Sequence, residues 1–241
     1  MKRVLATMLL AGIATVGIST GANAAGNANA KIMLHALTTT TKNVCLRTIA
    51  PNVNLPATCS DYNLGINNKA LYPTSYFTYL LVVNGSLIEG IAGVQCGVDF
   101  NGAPGAGVDV FTWSLCATLE FSSTGWPQDG GGNLITWNAT GPQCLTPPGN
   151  ATIGAIGVAG YFYMAAYTPD LMRVIPRPVD GVAKVANCGS VEDIVYVDPN
   201  DALTFLGAVG FGQPGINPCG RERPVGIENA TWSGVKTLIG S

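Results

Sequence analysis

Catalysis that depends on histidine can be tested by counting, because the chain holds a single histidine, His35. A Ser-His-Asp or Cys-His arrangement would have to use it. It stands in the apolar run Lys31-Ile32-Met33-Leu34-His35-Ala36-Leu37, without the Gly-x-Ser-x-Gly signature of a nucleophile elbow, and reads as a structural or surface residue. The same count removes multi-histidine zinc catalysis. Paired carboxylates remain open to glycoside hydrolysis, which needs two acids held at a defined separation. Glu120 and Asp129 flank Phe121-Ser122-Ser123-Thr124-Gly125-Trp126-Pro127, an aromatic turn between acids, but fourteen acidic residues allow many other pairs. Solvated loop acids are the simpler reading.

No cofactor is called for. Calcium is the one metal the chain would admit, because loop Asp and Asn oxygens bind it without thiolates or imidazoles. Asp99, Asn101 and Asp109 bracket one loop and Asp198-Pro199-Asn200-Asp201 forms a second polar corner, neither with EF-hand spacing. Asp and Asn are also ordinary turn formers. Aromatic side chains are the better lead. In Gly160-Tyr161-Phe162-Tyr163-Met164-Ala165-Ala166-Tyr167, strand alternation places Tyr161, Tyr163 and Tyr167 on one face and Phe162 and Met164 on the other. A tyrosine stripe turned outward could stack on sugar rings or seat a protein; cross-strand packing under a loop is the competing reading. Trp113 and Trp137 alternate with apolar neighbours and belong to the core. Trp126, in a turn before Pro127, is the tryptophan expected at the surface.

Seven cysteines, at positions 45, 59, 96, 116, 144, 188 and 219, show no Cys-x-x-Cys spacing, so zinc knuckles and redox motifs have little to stand on. An odd count leaves one thiol over. Alternation through Ala92, Val94, Cys96, Val98 and Phe100 puts Cys96 on an apolar face as a buried free thiol. Phe111, Trp113 and Leu115 form the apolar face of the next run, which turns Cys116 to the polar side. The expected disulfides are Cys45–Cys59, Cys116–Cys144 and Cys188–Cys219. Asn84, Asn138, Asn150 and Asn229 head Asn-x-Ser/Thr sequons, acceptors only in a host with glycosylation machinery.

The elements that must position these residues are short. Runs at 31–37, 44–49, 76–84, 91–100, 108–115, 134–137, 153–167, 171–175, 194–197, 205–211 and 231–238 are β-prone and separated by Gly, Pro, Asn and Asp clusters. This density of strands and turns predicts an all-β fold, an antiparallel β-sandwich of jelly-roll or immunoglobulin-like type, with a barrel as second choice. Gly102, Gly105 and Gly107 between two alternating runs predict a β-hairpin over 91–115. No fixed-period repeat or heptad is present.

Met1-Lys2-Arg3, an apolar run from Val4 to Ile18 and the small-residue exit Ala22-Asn23-Ala24 form the layout of a secretory signal peptide. The run is shorter than the roughly 20 residues a spanning helix needs. Cleavage is expected after Ala24, with Ala28-Asn29-Ala30 as the later alternative, and 31–241 form one domain. Export places the cysteines where thiols oxidise. The predicted location is secreted, periplasmic or cell-surface, with no membrane-spanning segment after cleavage. Mild acidity, fourteen acids against twelve bases, gives no reason to expect nucleic acid as partner. Missing catalytic signatures on a rigid scaffold favour a non-enzymatic binding or surface-assembly protein, its partner a polysaccharide or another extracellular protein. A secreted glycosidase-like hydrolase using two carboxylates is the alternative.

Overall fold

A computed structural model of the 241-residue chain describes residues 26–38, 45, 48–50, 53–56, 58–62, 66–138, 144–146, 154–195 and 205–220. Its strands are β1 (Lys31–Leu37), β2 (Thr48–Ala50), β3 (Val53–Asn54), β4 (Ser75–Gly85), β5 (Gly93–Asp99), β6 (Val108–Leu115), β7 (Leu119–Ser122), β8 (Gly132–Thr136), β9 (Ala155–Ala166), β10 (Asp170–Ile175), β11 (Lys184–Ala186), β12 (Glu192–Ile194) and β13 (Ala208–Phe211). A 3-10 turn spans Cys59–Tyr62. No helix among the described residues is long and apolar enough to cross a membrane. The expected runs at 231–238 and 196–197, the corner 198–201 and the sequons Asn150 and Asn229 lie outside the described residues.

Two antiparallel sheets pack face to face as a β-sandwich, and they do not close into a barrel. The first has the order β1-β4-β9-β6. The second centres on β5, whose one edge carries β8 and then β7. Its other edge is shared: Gly93–Gln95 pairs with β11, which carries β12, and Gly97–Asp99 pairs with β10, which carries β13. Alternation explains the core, because Val94, Cys96 and Val98 of β5, with Ile135, Met172 and Val185, turn one way. They meet Ile32, Leu34, Leu80, Phe162 and Met164 from the first sheet. Phe205–Gly207 binds both sheets at one corner: Ile32 N donates to Phe205 O, and Val174 N donates to Gly207 O.

The segment 91–115 is not a hairpin. β5 lies in the second sheet and β6 in the first, so the glycine-rich loop crosses the sandwich. Inter-sheet distances near 10 Å are within reach of eight residues. Asp170 holds the loop at both ends, accepting from Asn101 N and Val108 N, each at 2.9 Å, while Asp129 accepts from Phe100 N at 2.8 Å. Gly107 has φ +66°, and a Cβ there would press on Asn101 and Asp170 at 2.7 Å. Period-two patterning divides side chains between the two faces of a strand but carries no information about the partner strand, and both strands pair elsewhere. At Gly160 of β9 the missing side chain leaves room for the indole of Trp113 on β6, with which a Cβ would collide.

The disulfides are Cys45–Cys116, Cys59–Cys219 and Cys144–Cys188, with Cα separations of 4.9, 5.3 and 5.9 Å. All three expected pairings are corrected. Cys144 and Cys188 meet because both flanking segments pair with the β4–β5 connection: Leu145 N bonds Ile91 O, and Cys188 N bonds Glu89 O. Closeness in sequence was the wrong guide where sheet topology brings distant loops together. Cys96 is free and fully buried. Burial pushes its thiol up to about 12, which suppresses the reactive thiolate. Native protein is expected to resist a thiol-specific alkylating reagent for hours and to take up a single adduct only when denatured, as read by intact mass; rapid labelling of the native form would contradict this packing.

Candidate binding faces

The odd-numbered tyrosines of β9 lie on the face of the first sheet turned away from the second. Tyr161 is buried there, its ring 5.1 Å from Phe77 and 5.8 Å from Tyr79. His35 lies directly opposite Tyr79 across β1 and β4, and Tyr62 from the 3-10 turn meets it edge-on at 4.9 Å. Tyr62 Oη donates to Pro56 O at 2.7 Å, fixing that ring as a roof. Burial, aided by the nearby Lys69 charge, lowers His35 to about 4; burial, with Tyr161 beside it, raises Tyr79. His35 Nδ1 and Tyr79 Oη have no hydrogen-bond partner among the described residues.

Beyond the roof this face opens. Tyr163 is half-buried, 5.4 Å from both Phe77 and Phe111, and Phe111 is exposed. Tyr167 stacks on the exposed Tyr72 at 4.8 Å with 19° between the planes. Tyr163 and Tyr167 thus border an aromatic row, while Tyr161 belongs to the packing beneath the turn. Trp126 is elsewhere. It is half-buried, 5.0 Å from Trp113 and 5.4 Å from Phe162. Since Phe162 and Tyr161 are strand neighbours pointing to opposite faces, Trp126 and Tyr161 share no groove. The expectation of an exposed Trp126 is corrected: the turn folds its ring back onto the core.

The acids singled out by spacing are engaged in holding the backbone and core. Glu120 accepts from Trp113 Nε1 at 3.0 Å and Asn133 Nδ2 at 2.7 Å. Asp99 pairs with Arg173, Asp109 accepts from Gly105 N at 3.2 Å, and Asn101 Oδ1 from Ala103 N at 3.3 Å. Among the described residues no group of three or more potential ligands gathers for a metal.

The second sheet presents a face that period-two reading missed. Register pairs place Leu119 and Phe121 of β7, Thr136 and Leu134 of β8, Gly93 and Gln95 of β5, and Ala186 and Lys184 of β11 on one surface. Leu119 and Phe121 are 50% and 56% exposed, side by side on this face of β7. β7 is an edge strand among the described residues. Between these side chains and β11 lies a shallow depression of about 50 Å³, floored by Gly93 and lined by Gln95, Leu134, Thr136, Lys184 and Ala186. Polar groups at its margin are paired: Gln95 Nε2 donates to Asp180 at 2.7 Å, and Lys184 reaches Glu192 at 2.8 Å. Four residues of β7 were too few to show periodicity, and the only signal was apolar Leu119 and Phe121 in an otherwise polar stretch.

The chain matches no protein family and no curated protein. Among solved structures it is similar to a cohesin module from a family 33 glycoside hydrolase of Clostridium perfringens ATCC13124. That match has 6% identity and a TM-score of 0.37, and covers 60% of this chain and 90% of the module.

Proposed function

We propose that this chain is an exported, non-enzymatic binding protein that docks an extracellular protein partner on the outer face of β7, β8, β5 and β11. The observation that carries the reading is the pair Leu119 and Phe121, held in the open beside a glycine-floored depression. Exposed apolar side chains around a shallow hollow favour an interface over a small ligand, because small-molecule pockets are typically ~300–1,000 Å³. The edge of β7, unpaired by any strand among the described residues, adds backbone groups that an approaching strand could pair with. Three disulfides agree with an oxidising compartment.

The test is a photo-crosslinking residue at position 121, displayed on intact cells of the source. One discrete protein adduct is expected. Gly93→Ala should weaken its capture roughly tenfold, about 1.4 kcal/mol, without unfolding the chain: a Cβ at Gly93 meets only ordinary contacts of 3.4 Å or more and fills the hollow. No adduct, or an adduct indifferent to Gly93→Ala, would remove the reading. A second reading, polysaccharide stacking at Tyr72 and Tyr167, has in its favour the exposed Tyr72 ring stacked on the half-buried Tyr167. A glycan array bound by the native chain and not by Tyr72→Ala would establish it.

A further inference from the structure

The two small-residue exits that the sequence offers for leader removal are not equivalent in the folded protein. Ala28-Asn29-Ala30 lies within a segment that is built into the end of the sandwich. Asn27 is fully buried and makes three hydrogen bonds across it. Its amide donates to Asp193 Oδ2 at 2.9 Å, its Nδ2 donates to Gly90 O at 2.9 Å, and its Oδ1 accepts from Ser86 N at 2.7 Å. Gly26 N donates to Glu89 Oε2 at 3.2 Å, and Glu89 also accepts from Asn187 Nδ2. Ala30 N closes a turn onto Asn27 O at 2.9 Å, and Asn84 Nδ2 donates to Asn29 O at 3.0 Å. Ala30 and Lys31 are both buried. Four parts of the fold, the β4 end, the β4–β5 turn, the loop at Asn187 and β12, thus close on Gly26–Ala30.

A cut after Ala30 would strip Ser86 N and Gly90 O of the side chain that satisfies them. It would also create a charged amino terminus on Lys31, which is paired with Val83 in the β1–β4 ladder and buried. A cut after Ala24 leaves the whole segment in place, with one residue ahead of Gly26.

We propose that the leader is removed by hydrolysis of the Ala24–Ala25 peptide bond and that Gly26–Ala30 stays as an N-terminal clasp of the mature domain. Water supplies the hydroxyl that ends Ala24 as a carboxylate. The nitrogen of Ala25 leaves as the new amino terminus, and the catalyst is a peptidase requiring small side chains before the cut. The inference rests on the export reading and is independent of the docking face.

The full chain, expressed with its leader in an exporting bacterium, is recovered from outside the cytoplasm and its first residues are sequenced alongside intact-mass measurement. A chain beginning at Ala25 is expected; one beginning at Lys31, or retaining Met1, would overturn the proposal. Ala24→Phe should leave the precursor unprocessed, and a folded product beginning at Lys31 from that variant would also overturn it. Asn27→Ala, still beginning at Ala25, should melt roughly 5–10 °C lower. An unchanged Tm would deny the clasp.

Discussion

Replacing both members of the Cys59–Cys219 disulfide by alanine is expected to lower the unfolding free energy by about 5 kcal/mol, the largest loss of the three crosslinks. The bridge spans 160 residues, against 71 for Cys45–Cys116 and 44 for Cys144–Cys188. A crosslink removes conformations from the unfolded chain, and the number removed grows with the loop it closes, so the shortest of the three should contribute nearer to 4 kcal/mol. Cys59 opens the turn that carries Tyr62 over His35, and Cys219 anchors the loop after β13, so this bridge also holds the roof of the buried tyrosine face. Native stabilities run about 5–15 kcal/mol, so the variant should lie close to the unfolding threshold at ambient temperature. Urea denaturation of the Cys59→Ala, Cys219→Ala pair beside the Cys144→Ala, Cys188→Ala pair measures the order. If the shorter loop proved the costlier to open, loop closure would not be what these bridges contribute.

Strand alternation made the inward face of β5 legible and left the partners hidden. In β6 it failed, because a register shift between Val110 and Thr112 turns Phe111 outward onto Tyr163, away from the face of Trp113 with which alternation groups it. The spans of β1 and β6 match their β-prone runs, and alternation within 92–100 placed Cys96 in the core. What it could not convey was which strand lies beside which. The crossing of 91–115 and the disulfide pairs are both long-range facts, set by β9 taking β6 and by β8, β10 and β11 sharing β5. Short strands were lost for a different reason. β7, β11 and β12 have four, three and three residues, each held by neighbours rather than by its own propensity. The surface offered for docking sits on two of these, so the local pattern was weakest there. The tyrosine stripe was visible in sequence, but its division into a roofed half at Tyr161 and an open half at Tyr167 depends on a turn that begins about a hundred residues earlier.

Acid should destabilise the protein through His35 alone by about 3 kcal/mol between pH 6.5 and pH 4. The imidazole is 3% exposed, and its folded value near 4 stands below the ordinary 6.5, chiefly because burial disfavours the charged form and secondarily because Lys69 repels it. In that window the unfolded chain binds a proton that the folded chain refuses. Stability from this group is therefore complete above pH 6.5 and is lost as pH falls toward 4. Neutral His35 costs little where it sits, edge-on to Tyr62 and opposite Tyr79, but an imidazolium there would have no acceptor among the described residues on its Nδ1 side. The wild type and His35→Gln should be compared by urea denaturation at half-unit steps of pH. Carboxylates titrate in both and cancel in the difference, so the wild-type curve should fall about 3 kcal/mol further than the variant's across the window. Parallel curves would mean that the imidazole takes up its proton in the folded state as readily as in the unfolded one, and that the turn bearing Tyr62 does not seal this face from water.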